Sequence, residues 1–119
     1  MPQIRHLALL TDDQEGLATF YKSVFEMNEV HRHPSPHGGP AIYLSDGHLN
    51  LAILPAAGRR KGIYHMGMAV EDVEKTKNSA IAAGATPPNE TLPKDGRFAE
   101  TFVFDPAGTR VDLSAGWKH

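Results

Sequence analysis

Two histidines and one aspartate stand inside strand-like stretches of apolar residues: His6 in "IRHLALL", His65 in "IYHMGMAV" and Asp112 in "TRVDLS". Two imidazoles and a carboxylate form the kind of donor set that holds divalent iron, zinc or manganese while leaving coordination positions open for substrate oxygens. Any one of the three alone reads as a hydrogen-bonded polar residue. Burying all three together is costly unless something pairs them. Asn50 in "HLNLAIL" offers a neutral carbonyl oxygen, a weak ligand for zinc, iron or nickel, and so stands as a fourth ligand or as the group that orients a water. His48, two residues before Asn50, is the alternative fourth ligand or a rim or turn residue.

Face parity sets these residues against a common surface. A strand turns alternate side chains to opposite faces. Leu7 and Leu9 therefore share one face and His6 and Ala8 the other; Met66, Met68 and Val70 oppose His65, Gly67 and Ala69. The same alternation sets Leu49, Leu51 and Ile53 against His48, Asn50 and Ala52, and Val111 and Leu113 against Arg110 and Asp112. If the sheet curves as twisted sheets do, the polar face becomes a cavity lined by His6, Asn50, His65 and Asp112. Counting back from Asp112 through "DPAG", whose Asp, Pro and Gly suit a type I turn, turns Glu100, Phe102 and Phe104 to the cavity and Thr101 and Val103 away. A carboxylate beside aromatic rings and near a metal has the chemistry of a general base on a carbon acid; the competing reading of Glu100 is an exposed edge residue.

The elements that must position these groups repeat. A strand at 4–10 leads to acidic cap candidates Asp12 and Asp13 and to Leu17, Phe20, Tyr21, Val24 and Phe25 at helical spacing, predicting a helix near 13–26. "NEVHRHP", "AIYLSD" and "HLNLAILP" follow as three short strands. The second half runs in the same order: a strand at "GIYHMGMAV", a helix near 71–83 ending at Gly84, a short proline-limited edge strand in "ATPPNETLP", and a hairpin of "RFAETFVF" and "TRVDLS". The expected fold is α+β, two β-α-β-β-β modules (1–54 and 63–119, linked by 55–62) forming curved, barrel-like sheets around a shared cavity. His31, His33 and His37 of "HRHPSPH" lie among prolines and read as a solvated or substrate-facing loop in preference to a second metal site. "RRK" at 59–61 reads as solvated linker, and Trp117 as a cover for the cavity mouth or a subunit contact.

Composition narrows the classes. A chain of 119 residues is the size of one domain, and its formal charge of −2 argues against nucleic acid or an acidic membrane surface as the main partner. With no cysteine, any metal must be held by nitrogen and oxygen. No apolar run reaches membrane-spanning length and no signal-peptide pattern opens the chain, so the expected location is the cytoplasm.

The paired β-α-β-β-β order, with "RHLALLTD", "YHMGMAVEDVE" and "DPAGTRVDL", resembles the vicinal oxygen chelate superfamily, which includes glyoxalase I, methylmalonyl-CoA epimerase, extradiol dioxygenases and the metal-free bleomycin-binding proteins. The resemblance covers essentially the whole chain. It implies metal ligands on the first and last strand of each module, where His6, Asn50, His65 and Asp112 stand. It departs from the glyoxalase I pattern, which has glutamate at both the Asn50 and Asp112 positions; an aspartate reaches roughly 1.5 Å less far. The implied protein is an enzyme with one divalent ion (Fe, Zn, Ni or Mn), either a lyase or isomerase or a dioxygenase, that chelates a small substrate through vicinal oxygens. The alternative is a metal-free small-molecule or antibiotic-binding protein of the bleomycin-resistance type. The resemblance also implies a homodimer, in which each site is sometimes built from two chains.

Overall fold

The computed structural model describes residues 2–92 and 99–115. It is an α+β structure, with seven strands and two helices among the described residues. The chain divides into two compact units: one is His6–Tyr64, and the other takes in residues 2–5 and those from His65 onward.

The His6–Tyr64 unit contains most of β1 (Gln3–Thr11), then α1 (Gln14–Phe25), β2 (Asn28–Pro34), β3 (Pro40–Ser45) and β4 (Asn50–Pro55). Its strands lie in the order β2-β3-β4-β1, antiparallel except for the parallel β4–β1 pair. Asp13 starts α1 by accepting the backbone N–H of Gly16 at 2.9 Å, satisfying one of the donors that a helix N-terminus leaves over. One face of the sheet carries Ile42, Leu44 and Ile53, all fully buried, and α1 lays Ala18 on them with Leu17 and Tyr21 alongside. Phe20, Val24 and Phe25, expected on the covered face of the helix, are about half exposed at 49%, 56% and 59%. Phe20 and Phe25 instead pack edge-on with each other, and both rings contact Tyr21. At the other end of the helix, buried Gln14 donates from Nε2 to the carbonyls of Gly38 (3.0 Å) and Pro40 (3.1 Å), tying α1 to the β2–β3 turn.

The other unit contains most of β5 (Gly62–Ala69), then α2 (Val73–Ala82), β6 (Thr101–Phe104) and β7 (Arg110–Ser114), with strand order β5-β7-β6. β5 and β7 are parallel and β7 and β6 antiparallel. Asp72 caps α2 by accepting from Lys75 N–H at 3.0 Å, and Gly84, at φ +112°, ends it where the sequence predicts a stop. Val73 and Ala80 pack against Val70, Val103 and Leu113, but no residue of α2 is fully buried. An apolar cavity of about 430 Å³ remains there, lined by Met68, Ala80, Ala83 and Val111 among others. The strand expected in "ATPPNETLP" is reduced to a single bridge, Thr86 with Phe104, because Pro87 and Pro88 have no N–H to extend it. Residues 93–98 of that stretch and of the expected "RFAETFVF" strand lie outside the described residues.

Candidate functional site

In the unit that holds residues 65–115, the parallel register pairs Gly67 with Asp112, so His65 and Asp112 rise from the same side of neighbouring strands. Both are buried. His65 Nε2 lies 3.0 Å from Asp112 Oδ2, and Arg110 Nε donates to Asp112 Oδ1 at 2.7 Å. Each carboxylate oxygen thus has its own nitrogen partner. Across the hairpin the register pairs Phe102 with Asp112 and Phe104 with Arg110. Phe102 is 1% exposed and lies under the Arg110 guanidinium, whose carbon is 4.1 Å from the ring centroid; Phe104 packs edge-on to Phe102 at 5.5 Å. A guanidinium over an aromatic face is attracted by the ring quadrupole. The stack therefore aims the fork at Asp112.

The sequence alone places Arg110 only on the Asp112 face. The signal for a larger part was present: an arginine two residues before the aspartate, on the same face, opposite an aromatic residue in the hairpin.

In the His6–Tyr64 unit, His6 on β1 and Asn50 on β4 are register partners, 2% and 1% exposed. Their side of the sheet continues through Ala52 to Tyr43 and then to His31, paired with Tyr43, and His33, paired with Ala41. His31 and His33 are strand residues of β2, in line with the strand reading of "NEVHRHP" and a correction to the loop reading of the histidine cluster; only His37 sits in the turn. Prolines misled that reading, because Pro34 and Pro40 close the ends of the hairpin as mutual partners, where a missing N–H is tolerated.

The remaining sequence candidates are placed otherwise. His48 is exposed in the β3–β4 turn, its backbone N–H and that of Leu49 both donating at 2.7 Å to Asp46 Oδ1, which holds the Asp46 carboxyl below its usual range. Glu100 is exposed and its Oε2 accepts the backbone N–H of Ala115 at 2.7 Å. Arg59 of "RRK" donates to the carbonyls of Ala56 and Pro55 and covers the Tyr64 ring at 5.0 Å, so it is spent within the link. Trp117 lies outside the described residues.

What these groups can do follows from their type. Buried imidazole nitrogens and a carboxylate oxygen suit a first-row divalent ion. The 3.0 Å between His65 Nε2 and Asp112 Oδ2 matches the spacing of two donors each about 2.0–2.2 Å from one ion. The residues fit a metal.

No curated protein sequence matches the chain significantly. Among solved structures it is similar to a hypothetical protein from Bacillus halodurans C-125, at TM-score 0.81 and 15% identity, covering 99% of this chain and 96% of that one. It is also similar to methylmalonyl-CoA epimerase from Mycobacterium tuberculosis, at TM-score 0.74 and 16% identity over 92% of this chain and 85% of that one. A variant of the Streptomyces coelicolor epimerase, in complex with 2-nitronate-propionyl-CoA, gives TM-score 0.74 and 20% identity over 96% and 98%. The sequence profile of the glyoxalase-like domain matches residues 6–114. With that profile spanning nearly its whole length on the same α+β framework, the chain belongs to the glyoxalase-like domain family, within the vicinal oxygen chelate superfamily.

Proposed function

We propose that the chain is a metal-dependent enzyme of isomerase or lyase type, acting on a small carbon acid whose oxygens lie side by side. The observation that carries this reading is the buried His65–Asp112 pair at 3.0 Å, steadied by Arg110. In this reading His6 supplies the second imidazole of a two-histidine, one-carboxylate donor set. Asn50, the register partner of His6, supports a bound water or a fourth contact. When bound, the ion supplies Lewis-acid polarisation of a substrate oxygen. Arg110 fixes the direction in which Asp112 presents its oxygens, and Phe102 and Phe104 exclude water behind the pair. Glu100 is the base of this reading: one oxygen takes the Ala115 N–H, and the other moves the proton.

Structural neighbours solved with methylmalonyl-CoA and 2-nitronate-propionyl-CoA favour a carboxylated thioester or a related acid as substrate over dioxygenase chemistry. In this reading the two modules close around a shared cavity and the protein works in the cytoplasm as a homodimer.

One observation favours the metal-free binding reading. Arg110, Asp112 and His65 already form a closed hydrogen-bonded chain, which serves a binding cavity as well as a metal site. Metal content separates the two. Protein prepared without chelator or affinity tag, then reconstituted anaerobically with iron, is expected to hold close to one ion per chain. His65→Ala should weaken that affinity by orders of magnitude, whereas Asn50→Ala should cost roughly 10 to 100-fold, the range for groups that support a ligand. Circular dichroism serves as the folding control. Failure to take up any ion after reconstitution would favour the binding protein. Exchange of a substrate α-proton for deuterium in heavy water then tests the isomerase step itself.

A further inference from the structure

His31 and His33 stand two residues apart on β2, so both side chains leave the same face, and the register turns that face to the side of the sheet where His6 and Asn50 stand. Their ring centroids are 5.4 Å apart, and Tyr43 closes a near-equilateral triangle with them at 5.6 Å and 5.5 Å. His33 Nδ1 lies 3.0 Å from the carbonyl oxygen of Pro34, and that oxygen can only accept. The proton therefore sits on Nδ1, leaving the Nε2 lone pair pointed at Tyr43 Oη, 3.1 Å away.

From this arrangement we infer that His31, His33 and Tyr43 form a second metal site, for a nitrogen-preferring divalent ion of the zinc, nickel and copper class. A carbonyl on one ring nitrogen is how proteins orient a histidine whose other nitrogen binds metal. The 3.1 Å between Nε2 and Oη is the spacing of two donors bound at about 2.0–2.1 Å to one ion. Both histidines are partly exposed, which gives an ion entry from solvent, while Tyr43, buried at 5%, becomes the third donor when its phenol proton, shared with His33 Nε2, passes to solvent on metal binding. With two imidazoles and a phenol and no carboxylate among the three, magnesium and calcium are disfavoured. The site belongs to the His6–Tyr64 unit alone and does not depend on the enzyme reading. Its location on the His6 and Asn50 face suits an ion that holds a far oxygen of a bound ligand.

The test is a calorimetric titration of the chelator-treated whole chain with zinc alone. The expected result is two equivalents per chain. His65→Ala should lose one, and His33→Gln should weaken the other at least tenfold without touching the first; Tyr43→Phe should weaken the same one. A single equivalent that His33→Gln leaves intact would overturn the second site while leaving the first reading standing. So would a second equivalent lost in His37→Asn or His48→Asn, which would mark adventitious surface binding. Should a variant misfold, the wild type still decides: zinc must shift the ring proton resonances of His31, His33 and Tyr43 together, and a titration that leaves them unmoved rejects the proposal.

Discussion

Helices α1 and α2 begin alike, each with an aspartate cap on its third backbone N–H, and they pack differently. Beneath α1 lie three large side chains with no exposure, Ile42, Leu44 and Ile53. Beneath α2 lie Val70, Val103 and Leu113, met from the helix by Val73 and Ala80, and an apolar cavity remains. An alanine offers one methyl group where leucine offers a branched chain, so a helix that meets its sheet through Val73 and Ala80 brings little dispersion contact to it. The unit that carries His65 and Asp112 is consequently held by its strands and its Arg110–Asp112–His65 chain more than by its helix.

Core truncation should bring out this contrast most strongly. Ile53→Ala, under α1, is expected to cost about 3–4 kcal/mol, and Val103→Ala, beside the existing cavity, only about 1–2 kcal/mol. Urea unfolding with an unchanged slope would read both. Equal losses would mean that the cavity does not soften its surroundings.

Cap removal is a smaller and sharper probe. Asp13→Ala and Asp72→Ala each remove one side-chain acceptor from a helix N-terminus, worth about 1 kcal/mol where the helix is well docked. The loss should be fuller at Asp13, because a loosely packed α2 can fray without dragging its sheet along. Hydrogen exchange in the first turn of each helix would reveal a reversal of that order.

Acid gives the smallest effect at the helices, through the carboxyls that tie α1 to β2. Arg32 of β2 donates to Glu29 (2.7 Å) and to Glu15 of α1 (2.7 Å), and Lys22 of α1 donates to Glu29 (2.8 Å). These hydrogen bonds from Arg32 and Lys22 hold the Glu29 carboxyl down at about 2, below its ordinary 4.5. A carboxyl depressed in the folded state contributes stability that is complete above its unfolded value and fades as pH falls toward the folded one. The urea midpoint should therefore decline between pH 4.5 and 2 more in wild type than in Glu29→Gln. Identical declines would show that this exposed network contributes nothing, as many surface pairs do.

Periodicity made much of this architecture readable and stopped at identifiable places. The β2 segment, both helices and the face parity of Phe102 with Asp112 follow from alternation and caps alone, because those signals are local. Which apolar residues a partner element covers is not local. Phe20, Val24 and Phe25 fit a helical stripe as well as Leu17 does, yet they stay half exposed. Nor does a proline state whether it breaks a strand or closes one; Pro87 does the first and Pro34 the second. The Arg110 clamp needed both the hairpin register and the Phe102 ring in place, a conjunction that spacing hints at and only packing completes.

Anyone using this fold as a scaffold should treat the β2–β3 tip as a fitted joint and not as a spare loop. Gln14 reaches from the first turn of α1 to the carbonyls of Gly38 and Pro40, and a Cβ added at Gly39, which already stands at φ +69°, would come within 2.7 Å of Gln14 Nε2. Insertions or side chains at that tip would move the start of α1 and the strand bearing His31 and His33 together. The Ala57–Arg60 segment is exposed throughout, and a Cβ at Gly58 would meet nothing within 4 Å, so lengthening the chain there should leave both undisturbed.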